Sequence, residues 1–143
     1  MNTNKPMLGI IGGGQLGSML CQAATKLNIS TTILTDDKES PAQNFCDKFI
    51  YTEYTSSETL EQFAKSCDFI TFEFENIPFE ILDKVSKITR VYPDPQINKI
   101  VQNRFEEKNF LKTLEIATTS YALIKSKQDI EKNINLLPGI LKT

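Results

Sequence analysis

Met7-Leu8-Gly9-Ile10-Ile11-Gly12-Gly13-Gly14-Gln15-Leu16-Gly17 sets an apolar run directly against a cluster of glycines, and it holds five of the chain's six. The run reads as a buried strand, and the residues from Gln15 to Leu27 read as a helix. A strand that ends in a glycine turn and enters a helix exposes backbone. The glycines allow a sharp reversal and let a ligand approach the N–H groups of the helix start without a Cβ in the way. Unpaired donors and the positive end of the helix dipole favour an anion there, most often a phosphate. The spacing Gly12-x-Gly14-x-x-Gly17 fits the dinucleotide fingerprint, although the same spacing also serves a tight strand-to-helix turn that binds nothing.

Outward from this turn the chain keeps alternating. Candidate strands are Met7–Ile11, Thr31–Thr35, Lys48–Tyr51, Asp68–Phe72 and Arg90–Tyr92; candidate helices are Gln15–Leu27, Ser57–Lys65 and Phe79–Ser86. Strands that are apolar throughout, separated by helix-period segments, predict an α/β fold with a parallel sheet covered on both faces. Crossovers are expected to be right-handed, and a ligand is expected beyond the carboxyl ends of the strands. Tyr92-Pro93-Asp94-Pro95 then breaks the pattern, with Asp94 suited to cap a helix that opens on Pro95. One helix is predicted over Gln96–Leu114, followed by a strand at Tyr121–Ile124, a short helix at Ser126–Asn133 and a strand at Gly139–Lys142. A strand–helix–strand tail of that size cannot bury its apolar face alone, so the chain is expected to be the front piece of a longer protein.

Composition narrows the chemistry. The chain has 143 residues, 40% of them hydrophobic and 24% charged, which suits one soluble domain with a real core. No stretch approaches the roughly 20 apolar residues that span a bilayer. Met1–Pro6 lacks the apolar core of a signal peptide, and a cytoplasmic location is expected. Cys21, Cys46 and Cys67 are odd in number and widely spaced, which suggests neither a disulfide framework nor a thiolate metal site. Histidine is absent, which removes imidazole metal ligation, imidazole acid–base chemistry and histidine-activated nucleophiles. The net charge of −2 is unevenly spread: Asp36–Asp83 holds 12 acids and 3 lysines, whereas Lys84–Thr143 holds 11 bases and 6 acids. The bases are interleaved with acids and form no nucleic-acid stripe.

Three further places could carry chemistry. Glu73 and Glu75, at i and i+2 of an extended strand end, would share a face and could bind an amine or a hydroxyl; alternatively they are solvated and Asn76 caps the next helix. Asp36 and Asp37 lie 19 and 20 residues after Gly17, where a dinucleotide-binding domain puts its ribose-binding acid, but they also suit a polar turn. Lys142 falls inside an apolar strand, where a lysine is costly without an anion, and the guanidinium fork of Arg104 suits phosphate oxygens. A surface arginine and an edge-strand lysine are the plain alternatives.

In combination these segments resemble the N5-carboxyaminoimidazole ribonucleotide synthase family of ATP-grasp enzymes. The resemblance runs from Gly9 to Thr143. It rests on Gly9–Gly17, Ser40-Pro41-Ala42, the run Cys67–Pro78 with Glu73-Phe74-Glu75-Asn76, Gln102-Asn103-Arg104 with Glu107-Lys108, and Leu137–Thr143. Two departures stand out: Ser18 where the family often has arginine, and Glu115-Ile116-Ala117-Thr118-Thr119 in place of Gly-Ile-Pro-Thr. The resemblance implies a Rossmann-like pre-ATP-grasp domain over residues 1–94, like the biotin carboxylase N-terminal domain. Residues 95–143 would be a linker helix and the truncated start of an ATP-grasp α+β subdomain. It implies an ATP-dependent ligase of purine biosynthesis that carboxylates 5-aminoimidazole ribonucleotide with bicarbonate. Arg104 and Lys142 would contact ATP, and Gly13, Gly14, Gln15, Leu16, Glu73 and Asn76 would line the ribonucleotide side. Magnesium ligands would fall beyond residue 143, no catalytic residue would lie within this chain, and the isolated chain would be inactive. No nucleic acid or membrane partner is implied, and the full-length form would be a homodimer. The alternative is an NAD(P)-binding domain of an oxidoreductase, using Gly12–Gly17 and Asp36.

Overall fold

The computed structural model describes residues 5–142. Five strands, β1 (Met7–Ile11), β2 (Ser30–Thr35), β3 (Lys48–Tyr51), β4 (Phe69–Phe72) and β5 (Val91–Tyr92), form one sheet in the order β3-β2-β1-β4-β5. All neighbours are parallel. Between them lie α1 (Gln15–Lys26), α2 (Ser57–Lys65) and α3 (Phe79–Ser86), with a 3₁₀ turn at Pro41–Asn44. The expected α/β architecture and its five strands are therefore present, each within a residue of its predicted span.

Both faces of the sheet are buried, which explains the unbroken apolar strands. Successive strand side chains point to opposite faces. Ile10 and Ile33 pack with Cys21 of α1 and Ala42 on one side. Ile11, Leu34 and Ile70 pack with Leu60, Phe63 and Ala64 of α2 and Leu82 and Val85 of α3 on the other. Each large apolar side chain so removed from water contributes about 1.5–3 kcal/mol. Helix α1 ends where Asn28 turns left-handed at φ 59°: Ile29 N–H donates to the Ala24 carbonyl at 2.9 Å and Asn28 N–H to Thr25 at 3.1 Å. These bonds satisfy carbonyls that the helix end would otherwise strand.

The chain divides into two units after Asn98. Asp94 caps α4 (Pro95–Val101) as expected, its Oδ1 accepting from Gln96 N–H at 2.8 Å. The predicted single helix Gln96–Leu114 is instead two. Asn103 adopts an extended conformation and its Oδ1 accepts from Phe105 N–H at 3.0 Å and Glu106 N–H at 3.3 Å, starting α5 (Arg104–Thr113). A side chain that satisfies two orphan donors competes successfully with a continued helix. The apolar spacing across residues 97–111 concealed this break.

In the second unit α6 (Lys127–Lys132) matches the short predicted helix, capped by Ser126 Oγ accepting from Asp129 N–H at 3.3 Å. The Lys125 and Ser126 N–H and O–H donors around the Asp129 carboxylate hold its pKa below the ordinary value. The strands expected at Tyr121–Ile124 and Gly139–Lys142 are absent among the described residues. A strand needs a neighbour for its backbone groups, and none of the five sheet strands pairs with either segment. Tyr121 instead donates its hydroxyl to Asn109 Oδ1 at 2.9 Å and sets its ring edge-on to Phe105. Ile140 and Leu141 are 86% and 70% exposed.

Candidate functional site at the β1–β4 switch

The chain leaves β1 towards β2 on one side, and later returns to place β4 on the other. Strand order thus reverses between β1 and β4, and in open α/β sheets the crevice at such a switch is where ligands bind. Two segments meet at its carboxyl end: the Gly12–Gly14 turn and Glu73.

Gly12 has φ +103°, a conformation that side-chain-bearing residues rarely adopt, and its N–H donates to the Leu34 carbonyl at 2.9 Å. A Cβ there would sit 2.8 Å from Glu73 Oε1. The Gly13 carbonyl accepts from Ala42 N–H at 3.1 Å and from the hydroxyl of buried Ser40. Gly14 then caps α1 without a side chain, and no acid occupies the helix's first turn. Glu73 supplies that charge from the end of β4: its Oε1 accepts from Gly14 N–H at 3.1 Å. A carboxylate at a helix N-terminus is favoured by the unpaired donors and by the macrodipole. Beyond it Gln15 and Leu16 are exposed on the first turn of α1, where N–H groups have no acceptor within the helix.

Glu73 still belongs to the ladder, its N–H reaching the Ile11 carbonyl at 3.4 Å. The next residues do not. Strand β4 ends at Phe72, and Phe74–Ile77 form a turn closed by Ile77 N–H on the Phe74 carbonyl at 3.4 Å. Glu75 therefore does not share an extended strand face with Glu73, correcting the expected pair: the turn, continuing directly after Glu73, breaks the period of two. Nor does Asn76 cap the next helix. Pro78 occupies the N-cap position of α3, and Asn76 is exposed on the turn. Ile77, only 2% exposed, anchors the far end of the turn in the core.

Asp36 and Asp37 follow β2. Asp37 N–H donates to Thr35 Oγ1 at 3.2 Å and Asp37 Oδ1 accepts from Glu39 N–H at 2.9 Å, the local bonding of a polar turn. Burial, with the Asp36 carboxylate nearby, pushes the Tyr54 phenol up to about 12, so it stays a neutral hydroxyl.

Of the expected site residues, Gly13, Gly14 and Glu73 come together, with Gln15 and Leu16 on the adjoining helical turn. Arg104 and Lys142 lie in the second unit. Arg104 opens α5 and pairs through Nη1 with Glu107 Oε2 at 3.0 Å. Lys142 is exposed and follows no ladder, so the expected burial of an ammonium within a strand does not apply. Sequence reasoning passed over two supports. Ser40 was seen only as part of a motif, and buried Asn98, whose Nδ2 donates to the Ile77 carbonyl at 2.9 Å, was hidden among Ile97, Ile100 and Val101. Among the described residues no group of three or more Cys, Asp or Glu side chains converges to hold a metal ion. No described helix is long and apolar enough to cross a membrane.

Comparison with known proteins finds relatives over nearly the whole chain. The N5-carboxyaminoimidazole ribonucleotide synthase of Brucella melitensis is 36% identical over 132 residues, covering 92% of this chain and 36% of that protein. Among solved structures, the N5-carboxyaminoimidazole synthetase of Staphylococcus aureus complexed with ADP superposes with a TM-score of 0.83 at 32% identity, covering 96% of this chain and 37% of the other. The Aspergillus clavatus synthase in complex with ADP and 5-aminoimidazole ribonucleotide gives 0.79 at 29% identity, over 94% of this chain and 37% of the other. The chain thus spans little more than a third of these relatives' length. Residues 5–102 match the ribonucleotide synthetase preATP-grasp domain, across every strand of the sheet and both halves of the Gly14–Glu73 corner, and the chain belongs to that family.

Proposed function

We propose that this chain supplies the ribonucleotide-binding part of an N5-carboxyaminoimidazole ribonucleotide synthase. The observation that carries the reading is the Glu73 carboxylate held on Gly14 N–H at the start of α1 and packed against Gly12, where a Cβ would collide with it. A carboxylate only accepts hydrogen bonds, so it suits the hydroxyls of a ribose. The N–H groups of Gln15 and Leu16, one turn face away, suit the phosphate. Asn76 stands on the turn that follows Glu73 and completes the polar rim. A relative solved with 5-aminoimidazole ribonucleotide supports the choice of ligand.

The reaction transfers the terminal phosphoryl group of ATP to a bicarbonate oxygen, releasing ADP. The exocyclic amine of the ribonucleotide then attacks the carboxyl carbon, phosphate leaves and the amine loses a proton. The role of this corner is to hold the ribonucleotide so that the amine is presented in one orientation. Arg104 and Lys142 are assigned to ATP, their fixed charges suiting phosphate oxygens. The magnesium that such a phosphoryl transfer uses finds no carboxylate set among the described residues. A cytoplasmic homodimer completes the reading, as the resemblance implies.

Calorimetric titration of the 143-residue chain with 5-aminoimidazole ribonucleotide tests this. Saturable binding that weakens about tenfold or more in Glu73→Ala is expected, the loss of charge-assisted hydrogen bonds. Saturable binding of NADH in place of the ribonucleotide would overturn it.

A further inference from the structure

The side chain of Asn98 is 1% exposed, yet it is a full primary amide. Its Nδ2 donates to the Ile77 carbonyl at 2.9 Å, and its Oδ1 is buried without a hydrogen-bond partner among the described residues. The carbonyl of Ile77 can only accept, which fixes the amide orientation. A buried amide with one end unsatisfied is a poor choice for filling volume, because an apolar side chain fills space without a polar penalty. The position of the bond gives the residue a use.

The segment Glu73–Ile77 is held at each end. At one end Glu73 is held by Ile11 and Gly14. At the other, Ile77 is held in the core and by Asn98. Phe74, Glu75 and Asn76 between them are exposed. With so short a segment, a shift of the Ile77 end is passed to Glu73.

We infer that Asn98 is a positioning residue for the ribonucleotide site: its hydrogen bond to Ile77 sets where the turn after β4 ends, and so fixes the Glu73 carboxylate at the α1 N-terminus. It touches no ligand itself. The inference rests on the reading of Glu73 given above, and its test separates the two.

Asn98→Leu keeps the branched outline of the side chain and removes both polar ends. Amide hydrogen exchange of residues 73–77 in the unliganded chain is expected to accelerate about 3- to 10-fold, the range of one lost hydrogen bond, with β1 and β2 unchanged. Affinity for 5-aminoimidazole ribonucleotide is expected to fall by a similar factor. Ile33→Val, which trims the opposite face of the sheet, serves as control: a role in general packing would make it mimic Asn98→Leu, whereas a positioning role leaves its 73–77 exchange and its affinity as in the parent. Should Asn98→Leu not fold, Asn98→Ser, too short to reach Ile77, takes its place in the same measurements. Unchanged exchange over 73–77 overturns the inference. Failure of the parent chain to bind the ribonucleotide overturns the function reading instead, and leaves the exchange result to judge Asn98.

Discussion

Replacing Gly12 by alanine strikes the two requirements of the site at once. At φ +103° an L-residue carries backbone strain of about 1–3 kcal/mol. The new Cβ would lie 2.8 Å from Glu73 Oε1, closer than van der Waals contact permits, so the carboxylate must swing away. Because that oxygen is the acceptor for Gly14 N–H, the swing removes a charge-assisted bond worth about 1.5–3 kcal/mol before solvent compensates. Glu73 is only half buried and water can replace part of it, so roughly 1 kcal/mol of this survives. A total loss of about 2–4 kcal/mol is expected, a large share of a domain's usual 5–15 kcal/mol. Equilibrium urea unfolding of Gly12→Ala, Glu73→Ala and the double variant gives both numbers. The double variant should be less unstable than the sum by about 1 kcal/mol, the part that passes through Glu73. A Gly12→Ala loss below about 0.5 kcal/mol, or strict additivity with Glu73→Ala, refutes the picture of a carboxylate locked against this glycine.

Other expectations concern the rest of the molecule. Glu115 sits at φ 57° after α5, with Ile116 N–H on the Leu111 carbonyl at 3.0 Å, so Glu115→Gly should stabilise the second unit by about 0.5–1 kcal/mol in thermal unfolding followed by circular dichroism. Asn103→Ala should cost α5 about 1 kcal/mol in the same assay, by loss of its cap. Tyr54 binds its proton more tightly folded than unfolded; its contribution is whole below pH 10, the ordinary phenol value, and is lost as pH rises through about 12. Tyr54→Phe should flatten the fall in stability over that window.

The sheet was legible because its strands are buried on both faces. Ile10 and Ile11, or Ile33 and Leu34, must each be apolar when helices cover both sides, and the resulting runs stand out against the helix-period segments. The glycine turn was equally plain, since positive φ and a passing carboxylate leave few residues but glycine at position 12. What the sequence could not display was competition. The apolar spacing through Ile97, Ile100, Val101 and Phe105 is that of one helix, and only the Asn103 side chain, bonding two N–H groups, makes it two. Apolar residues at Tyr121–Ile124 and Gly139–Lys142 suggested strands, but a strand exists only beside a partner, which no local pattern encodes. The departure at Glu115 puts a side chain on a left-handed position that favours glycine, which only the backbone angle displays. Asn98 was unreadable for a related reason: whether a polar residue on a helix faces water or a buried carbonyl depends on a chain reversal 21 residues away.

Amide chemical-shift mapping of the labelled chain during titration with 5-aminoimidazole ribonucleotide, and separately with NADH, goes most directly to the site. The ribonucleotide should produce saturable shifts centred on Gly13, Gly14, Gln15, Leu16 and Glu73, with NADH leaving them in place. Shifts centred on Asp36 and Asp37 with NADH, or no saturable change at Gly14 and Glu73 with the ribonucleotide, would contradict a ribonucleotide seat at the β1–β4 switch.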